Sequence, residues 1–415
     1  MESPAASARA PVQPALFSGM KEEHTSISVR KQEKPTAAPF RPASEKESSM
    51  KAAVFYEPNK PLVIEEVEVD PPKEGEILVK MAAAGVCHSD HHAMTGEMPI
   101  ASPVILGHEG AGVVEEVGPG VTSLQPGDHV ASVWRYACGT CEYCLIARPQ
   151  LCPTSARMRS NATLSDGTKR FRMGNTEVGH HLGVSTFSEY SVMSEKSALK
   201  IRDDMPLDKA AVVSCAVITG VGAVVNAAKA RPGESVAVFG AGGIGLNAVQ
   251  GAALAGADPI IAVDVFQNKL DMAKKFGATH LVNASDEDPV ARIRELTGGQ
   301  GAHHAIEAIG NTDVATQCFN AIRPGGTAVM IGITSPKAAA AIPTLDLVTQ
   351  EKKLVGSLYG SSVPRHMVPR LIELYMAGKL NLDDLLTRSY PLDRINEAYE
   401  ALIAGEVARS VIAYD

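Results

Sequence analysis

The chain has 415 residues, 45% of them hydrophobic and 21% charged, with a formal net charge of -8. That length exceeds a single ordinary domain, and the acidic balance argues against a general nucleic-acid or membrane-surface binder. No apolar run is read as approaching the roughly 20 residues that span a bilayer, and no charged n-region with an apolar h-region opens the chain. A cytoplasmic protein is expected. Seven cysteines, four of them inside fifteen positions, fit reduced metal-binding thiols better than a disulfide framework.

Residues 1–49 are rich in Ala, Ser, Pro, Lys and Glu without apolar periodicity, which predicts a disordered extension. From Met50, short apolar runs at 52–56, 62–64, 77–81 and 110–114 alternate with Gly- and Pro-rich turns. Strands so punctuated predict a partly closed β-barrel. Within it, Cys87-His88-Ser89-Asp90-His91-His92 is followed by Gly107-His108-Glu109. A thiolate and an imidazole suit zinc, and Asp90 and Glu109 place carboxylates nearby. Ser89 and His92 add the hydroxyl and imidazole that a proton path needs. The competing reading is a buried cysteine among surface histidines.

Cys138-x2-Cys141-x2-Cys144-x7-Cys152 then offers four thiolates in one short loop. Four thiolates close a tetrahedral zinc shell and leave no open position, so this zinc is structural. Iron–sulfur ligation is the rival, but the bacterial ferredoxin run ends with a gap of three rather than seven. Gly179-His180-His181 precedes a strand predicted over residues 185–192. Cys215 lies in an apolar run and reads as core packing, or as the third protein ligand that a catalytic zinc takes.

The pattern then changes to alternating strands and helices. The apolar run 235–239 leads into Gly240-Ala241-Gly242-Gly243-Ile244-Gly245, a helical pattern, a strand at 260–264, and Asp264, nineteen residues after Gly245. A G-x-G-x-x-G with a strand before it, a helix after it and an acid at this offset is a dinucleotide fingerprint on a Rossmann-type, doubly wound parallel sheet. Asp264 would accept from the adenosine ribose and repel a 2′-phosphate, favouring NAD. Alternation continues to a last strand at 353–356, and residues from 360 onward read as mainly helical, with Cys318 packed in a helix.

With these residues in place the chain resembles the zinc-dependent alcohol dehydrogenases of the medium-chain dehydrogenase/reductase superfamily, over residues 50–415. Residues 165–171 and 179–192 look like its animal-type and glutathione-dependent branch, in a bacterial-looking member. The resemblance implies an α/β architecture: a GroES-like catalytic domain at 50–217 carrying the structural zinc lobe 138–152, and a Rossmann NAD-binding domain at 218–359. A C-terminal return to the catalytic domain would occupy 360–415. It implies Cys87, His108 and Cys215 as catalytic zinc ligands, Asp90 behind the ligand histidine and Glu109 beside the metal. Ser89 and His92 would form the proton relay. Gly240, Gly242, Gly243, Ile244, Gly245, Asp264 and Lys269 would contact NAD, with His88 and Arg409 against the pyrophosphate.

The implied activity is reversible hydride transfer between a primary or secondary alcohol, aliphatic or aromatic, and NAD, with two zinc ions per chain. A homodimer or homotetramer is the implied assembly. The alternatives are a thiol-conjugate formaldehyde dehydrogenase and a catalytically silent NAD-binding relative. Met98 and Ala156 stand where the glutathione-dependent enzymes carry an acid and an arginine, which counts against the thiol conjugate. Trp134, Met98 and Leu345 predict an apolar pocket.

Overall fold

Strand Glu76–Val86 is the axis of the catalytic half. It pairs antiparallel with Glu109–Val117, with Tyr190–Ser194 and with the C-terminal strand Arg409–Ala413. These belong to a seven-stranded sheet, beside which Ser49–Phe55, Val63–Val69, Val104–Ile105, Phe171–Met173 and Thr176–His180 form a closed barrel. The computed structural model describes residues 49–415. The extension expected over 1–49 lies outside the described residues except for Ser49, which already opens the first strand.

The cofactor half is one six-stranded parallel sheet. From one edge to the other it runs His280–Asn283, Ile260–Asp264, Val236–Phe239, Ala302–Glu307, Ile322–Met330 and Lys353–Gly356. Val236–Phe239 is buried at every position, as a strand covered on both faces must be. The order reverses beside this strand, and the crevice at such a switch point is where open parallel sheets bind ligands.

A 22-residue apolar helix, Leu207–Ala228, links the halves, with mean hydropathy 2.0. This corrects the expectation that no apolar run approaches a membrane span: length and composition alone would qualify it. Core packing accounts for its hydropathy, since 83% of its apolar window is buried inside the protein. Ala210, Ala211 and Val212 pack with Ala83 and Ala111 of the catalytic half, while Val221 and Val224 share that core with Leu246 and Val249. The boundary drawn from sequence at 217/218 falls inside this helix.

Two further expectations change. The strand predicted over 185–192 begins only at Tyr190. Upstream, Ser185 has φ +41°, and its hydroxyl accepts from His181 N and donates to Ile105 O. Local hydroxyl bonds thus satisfy the backbone without a ladder. The C-terminal segment is less helical than expected, because Leu386–Pro391 and Arg409–Ala413 pair as parallel strands.

Candidate active site

The register of one strand pair brings the first two ligands together. Gly85 lies opposite Glu109, so Cys87, two residues on, and His108, one residue back, leave the sheet side by side. A side chain at position 85 would collide with the Glu109 carboxylate, which is why glycine stands there. Cys215 arrives from the linking helix, in a stretch, Val213–Val217, wound as a π-helix. The widened turn exposes the Ser214 carbonyl to the buried Tyr359 hydroxyl, which donates to it at 2.5 Å. Wide turns of this kind recur at functional sites.

The donor atoms of Cys87, His108, Glu109 and Cys215 all lie within 4.8 Å of one another, and all four residues are buried. His108 Nε2 is 3.3 Å from Cys215 Sγ, while its Nδ1 is 3.0 Å from Asp90 Oδ1. A carboxylate on the far nitrogen fixes the ring and its tautomer, as metal-binding histidines require. A hydrogen bond from Cys215 holds the Cys87 thiol well below its usual range, and the same bond pushes Cys215 up. Burial alone would lower His108; Asp90 and Cys87 outweigh it and raise it well above its ordinary value. Two thiols and an imidazole converging on one buried point, with the Glu109 Oε2 and Asp90 Oδ2 oxygens left without partners, form a donor set suited to zinc.

The second cluster is the lobe. The sulfurs of Cys138, Cys141, Cys144 and Cys152 also lie within 4.8 Å of one another, and all seven cysteines of the chain are free thiols. Cys138 and Cys144 are 4.0 Å apart, close to the roughly 3.8 Å edge of a tetrahedron with ~2.3 Å zinc–sulfur bonds. Amide N–H groups of Thr140 and Cys141 donate to Cys138 Sγ and push its thiol down to about 5.

In the cofactor half, Gly240 takes φ +95° at the end of Val236–Phe239. A Cβ on Gly245 would strike the Gly240 carbonyl, whereas a Cβ on Gly242 would meet nothing, so the backbone there faces open space. Gly242 caps the helix Gly243–Leu254, whose first amides have no side-chain acceptor. Free amides beside an open cradle fit a pyrophosphate. Asp264 is buried and accepts from Ala241 N, Val265 N and Phe266 N at 2.7 to 3.1 Å. It therefore ties the glycine turn to the end of the strand Ile260–Asp264. Ile244 and Lys269 are half-buried, the Lys269 ammonium 4.7 Å from the Phe266 ring.

Residues 73–203 match the alcohol dehydrogenase GroES-like domain, and residues 243–377 match the zinc-binding dehydrogenase family. An NDMA-dependent alcohol dehydrogenase from Amycolatopsis methanolica is 43% identical over 367 residues, covering 88% of this chain and 98% of the relative. The chain belongs to the zinc-dependent alcohol dehydrogenases. An S-(hydroxymethyl)glutathione dehydrogenase from Escherichia coli is 41% identical over 367 residues, 88% of this chain and 99% of that one. Among solved structures, benzyl alcohol dehydrogenase from Acinetobacter calcoaceticus shares 32% identity with a TM-score of 0.85, covering 88% of this chain and 99% of that one. Like the family, this alcohol dehydrogenase uses zinc and NAD, and both clusters and the glycine cradle fit them.

A cavity of about 350 Å³ opens beside His108, its lining including Ser89, Ala93, Met98, Trp134, Leu182 and Leu358. Ser89 and His92 are three residues apart on the helix His88–Met94, hence on neighbouring positions of one face. His92 Nδ1 is 2.5 Å from Glu97 Oε2. His88 is exposed, and no side-chain bond joins it to the glycine turn among the described residues. Arg409 is buried; its Nη1 donates to Val86 O, its Nη2 to Glu109, and its aliphatic stem lies against Gly243. Its Nε has no partner. Leu345 corrects the pocket expectation: it is 73% exposed on the short helix Thr344–Thr349. The sequence reading gave no role to His181 or Arg159, both of which line the cavity. His181 lies 3.2 Å from Asp90, so one carboxylate holds two imidazoles. Arg159, one helical turn beyond Ala156, could have been found from the helix pattern after Pro153.

Proposed function

We propose that the enzyme oxidises primary or secondary alcohols reversibly with NAD, its site residues being those brought together around Cys87, His108 and Cys215. The observation that carries this reading is the cavity, which sets the Ser89 hydroxyl and the His108 edge of the ligand cluster against apolar walls. When bound, zinc polarises the alcohol oxygen and the nicotinamide accepts the hydride. The chain's own residues do the rest. Ser89 accepts a hydrogen bond from the substrate hydroxyl, and Asp90 holds the His108 ring in place. His92, paired with Glu97, releases the proton to solvent. Trp134, Met98, Ile100 and Leu358 orient the carbon chain and keep water out.

Met98 and Ala156 both line this cavity, which supports plain alcohols over a thiol conjugate. A homodimer or homotetramer in the cytoplasm completes the proposal; the reduced four-thiol lobe supports that compartment. An NADH-monitored panel of aliphatic and aromatic alcohols, with formaldehyde in the presence and absence of thiols, tests it. Ser89→Ala should reduce kcat by a hundredfold or more, and His92→Gln should slow turnover modestly and be rescued by added imidazole. A chain that binds two zinc ions and NAD yet turns over nothing would be a silent relative. Light scattering of the purified chain reads the assembly.

A further inference from the structure

Two of the zinc ligands belong to a closed circuit of contacts. Cys215 Sγ lies 3.3 Å from His108 Nε2, and the His108 ring meets the Trp134 ring edge-on with centres 5.7 Å apart. Trp134 packs in turn against Tyr359, ring centres 4.6 Å apart, and the Tyr359 hydroxyl donates to Ser214 O at 2.5 Å. Ser214 directly precedes Cys215, so the circuit closes where it began. Tyr359 is its member from the cofactor half, three residues beyond the strand Lys353–Gly356, and it is 1% exposed.

The backbone that presents Tyr359 is strained. Tyr359, Gly360 and Ser361 take φ +57°, +64° and +49° in succession, a left-handed conformation that bulky residues rarely adopt. Strain of this kind persists only where the surroundings over-determine it, and it clusters at functional sites. Asn226 Nδ2 donates to Gly360 O at 3.1 Å and to Ser362 Oγ at 2.9 Å. A Cβ on Gly360 would collide with Ile218 O, so the turn and the linking helix touch backbone to backbone. The turn is thus clamped to the helix that carries Cys215. Leu358, immediately before it, lines the substrate cavity, as Trp134 does.

We propose that Tyr359 is a positioning residue: its hydroxyl fixes the Ser214–Cys215 turn while its ring backs Trp134, so one side chain sets the third zinc ligand against the wall of the substrate cavity. This rests on the alcohol-oxidation reading of the same cavity. The two parts of the side chain act separately. Phenylalanine at this position keeps the support of Trp134 and loses the hydrogen bond to the widened turn. An aliphatic residue loses both.

The experiment compares wild type, Tyr359→Phe and Tyr359→Leu as full chains with NAD, loaded with zinc or with cobalt(II) in the catalytic site. The cobalt–thiolate absorption bands report ligand geometry without turnover, and single-turnover NADH formation reads hydride transfer apart from product release. Tyr359→Phe should shift the cobalt bands and slow hydride transfer about tenfold, with KM for benzyl alcohol and 1-hexanol little changed. Tyr359→Leu should shift the bands as well and raise KM for benzyl alcohol by about tenfold. Tyr375→Phe, which removes a hydroxyl bond to Asp383 on the helix Pro364–Met376, should change neither reading. Asn226→Ala loosens the turn from its other side and should shift the bands too, so it carries the test if the Tyr359 variants do not fold. Unshifted bands in Tyr359→Phe, or in Asn226→Ala where that variant stands in, overturn the proposal. So does a hydride-transfer rate in Tyr359→Phe equal to that of wild type. Absence of turnover in the wild type removes the alcohol-oxidation reading, whereas the cobalt bands still decide the link from Tyr359 to the ligand turn.

Discussion

The guanidinium of Arg409 donates to the carboxylate of Glu109 across 300 positions of sequence, both groups buried. One partner stands beside the ligand cluster, and the other packs its stem against Gly243 of the dinucleotide turn. The ion pair itself lies within the catalytic half, and the Arg409 stem carries it up to the dinucleotide turn of the cofactor half, where the two chemistries meet. Burial pushes the Glu109 carboxyl up, and the Arg409 guanidinium works against that.

Arg409→Met should leave Glu109 buried without its counter-charge, at about 3–5 kcal/mol of stability. Combining it with Glu109→Gln should recover much of that loss, because no bare carboxylate then remains. Denaturant titration of the two variants checks the sign, and NAD titration should show weaker binding in both. Equal stability of the single and double variants would refute the coupling.

The two clusters predict separable metal losses. Cys87→Ala and Cys215→Ala should each lower zinc from two to one per chain and abolish turnover, with the melting temperature little changed. Cys144→Ser should also leave one zinc but lower the melting temperature and open the loop around residues 138–152 to protease. Metal analysis beside calorimetry distinguishes these outcomes.

Two neighbouring glycines should respond in opposite ways. Gly242 has φ −79° and open space where a Cβ would go, so Gly242→Ala should leave stability within about 1 kcal/mol while weakening NAD binding. Gly245→Ala would drive a methyl into the Gly240 carbonyl, and several kcal/mol of stability should be lost. Urea midpoints and NAD affinity, measured on both variants, read the contrast.

Acid sensitivity should trace in part to Asp166. Burial would raise this carboxyl, but hydrogen bonds from Thr168 and Arg170 outweigh it and bring it down to about 2 from 3.8. A depressed folded value means the contribution is present above about pH 4 and is lost as pH falls through about 2. Asp166→Asn should be less stable than wild type at pH 7, and the gap should close towards pH 2. A gap independent of pH would refute the assignment.

Sequence spacing made the local chemistry legible. The four lobe cysteines lie within fifteen residues, and the glycine fingerprint is one turn with its strand and helix attached, so contiguous residues carried both readings. Asp90 behind His108 came from the family resemblance, since a separation of eighteen positions does not by itself say that the two side chains meet. The apolar character of Leu207–Ala228 could not by itself say membrane or core, because composition records what a helix prefers and not what surrounds it.

The tertiary structure alone decided what meets across the chain. Ungated by spacing, Cys215 joins Cys87 and His108 because the Gly85–Glu109 register and a widened helical turn aim all three at one point. Arg409 meets Glu109, and Leu345 is exposed outside the cavity lining, for the same kind of reason. Sequence fixes which residues can ligate, donate or stack, since that is the chemistry of each side chain. Convergence depends on register and on the face of a helix, both set by packing between segments that lie hundreds of residues apart.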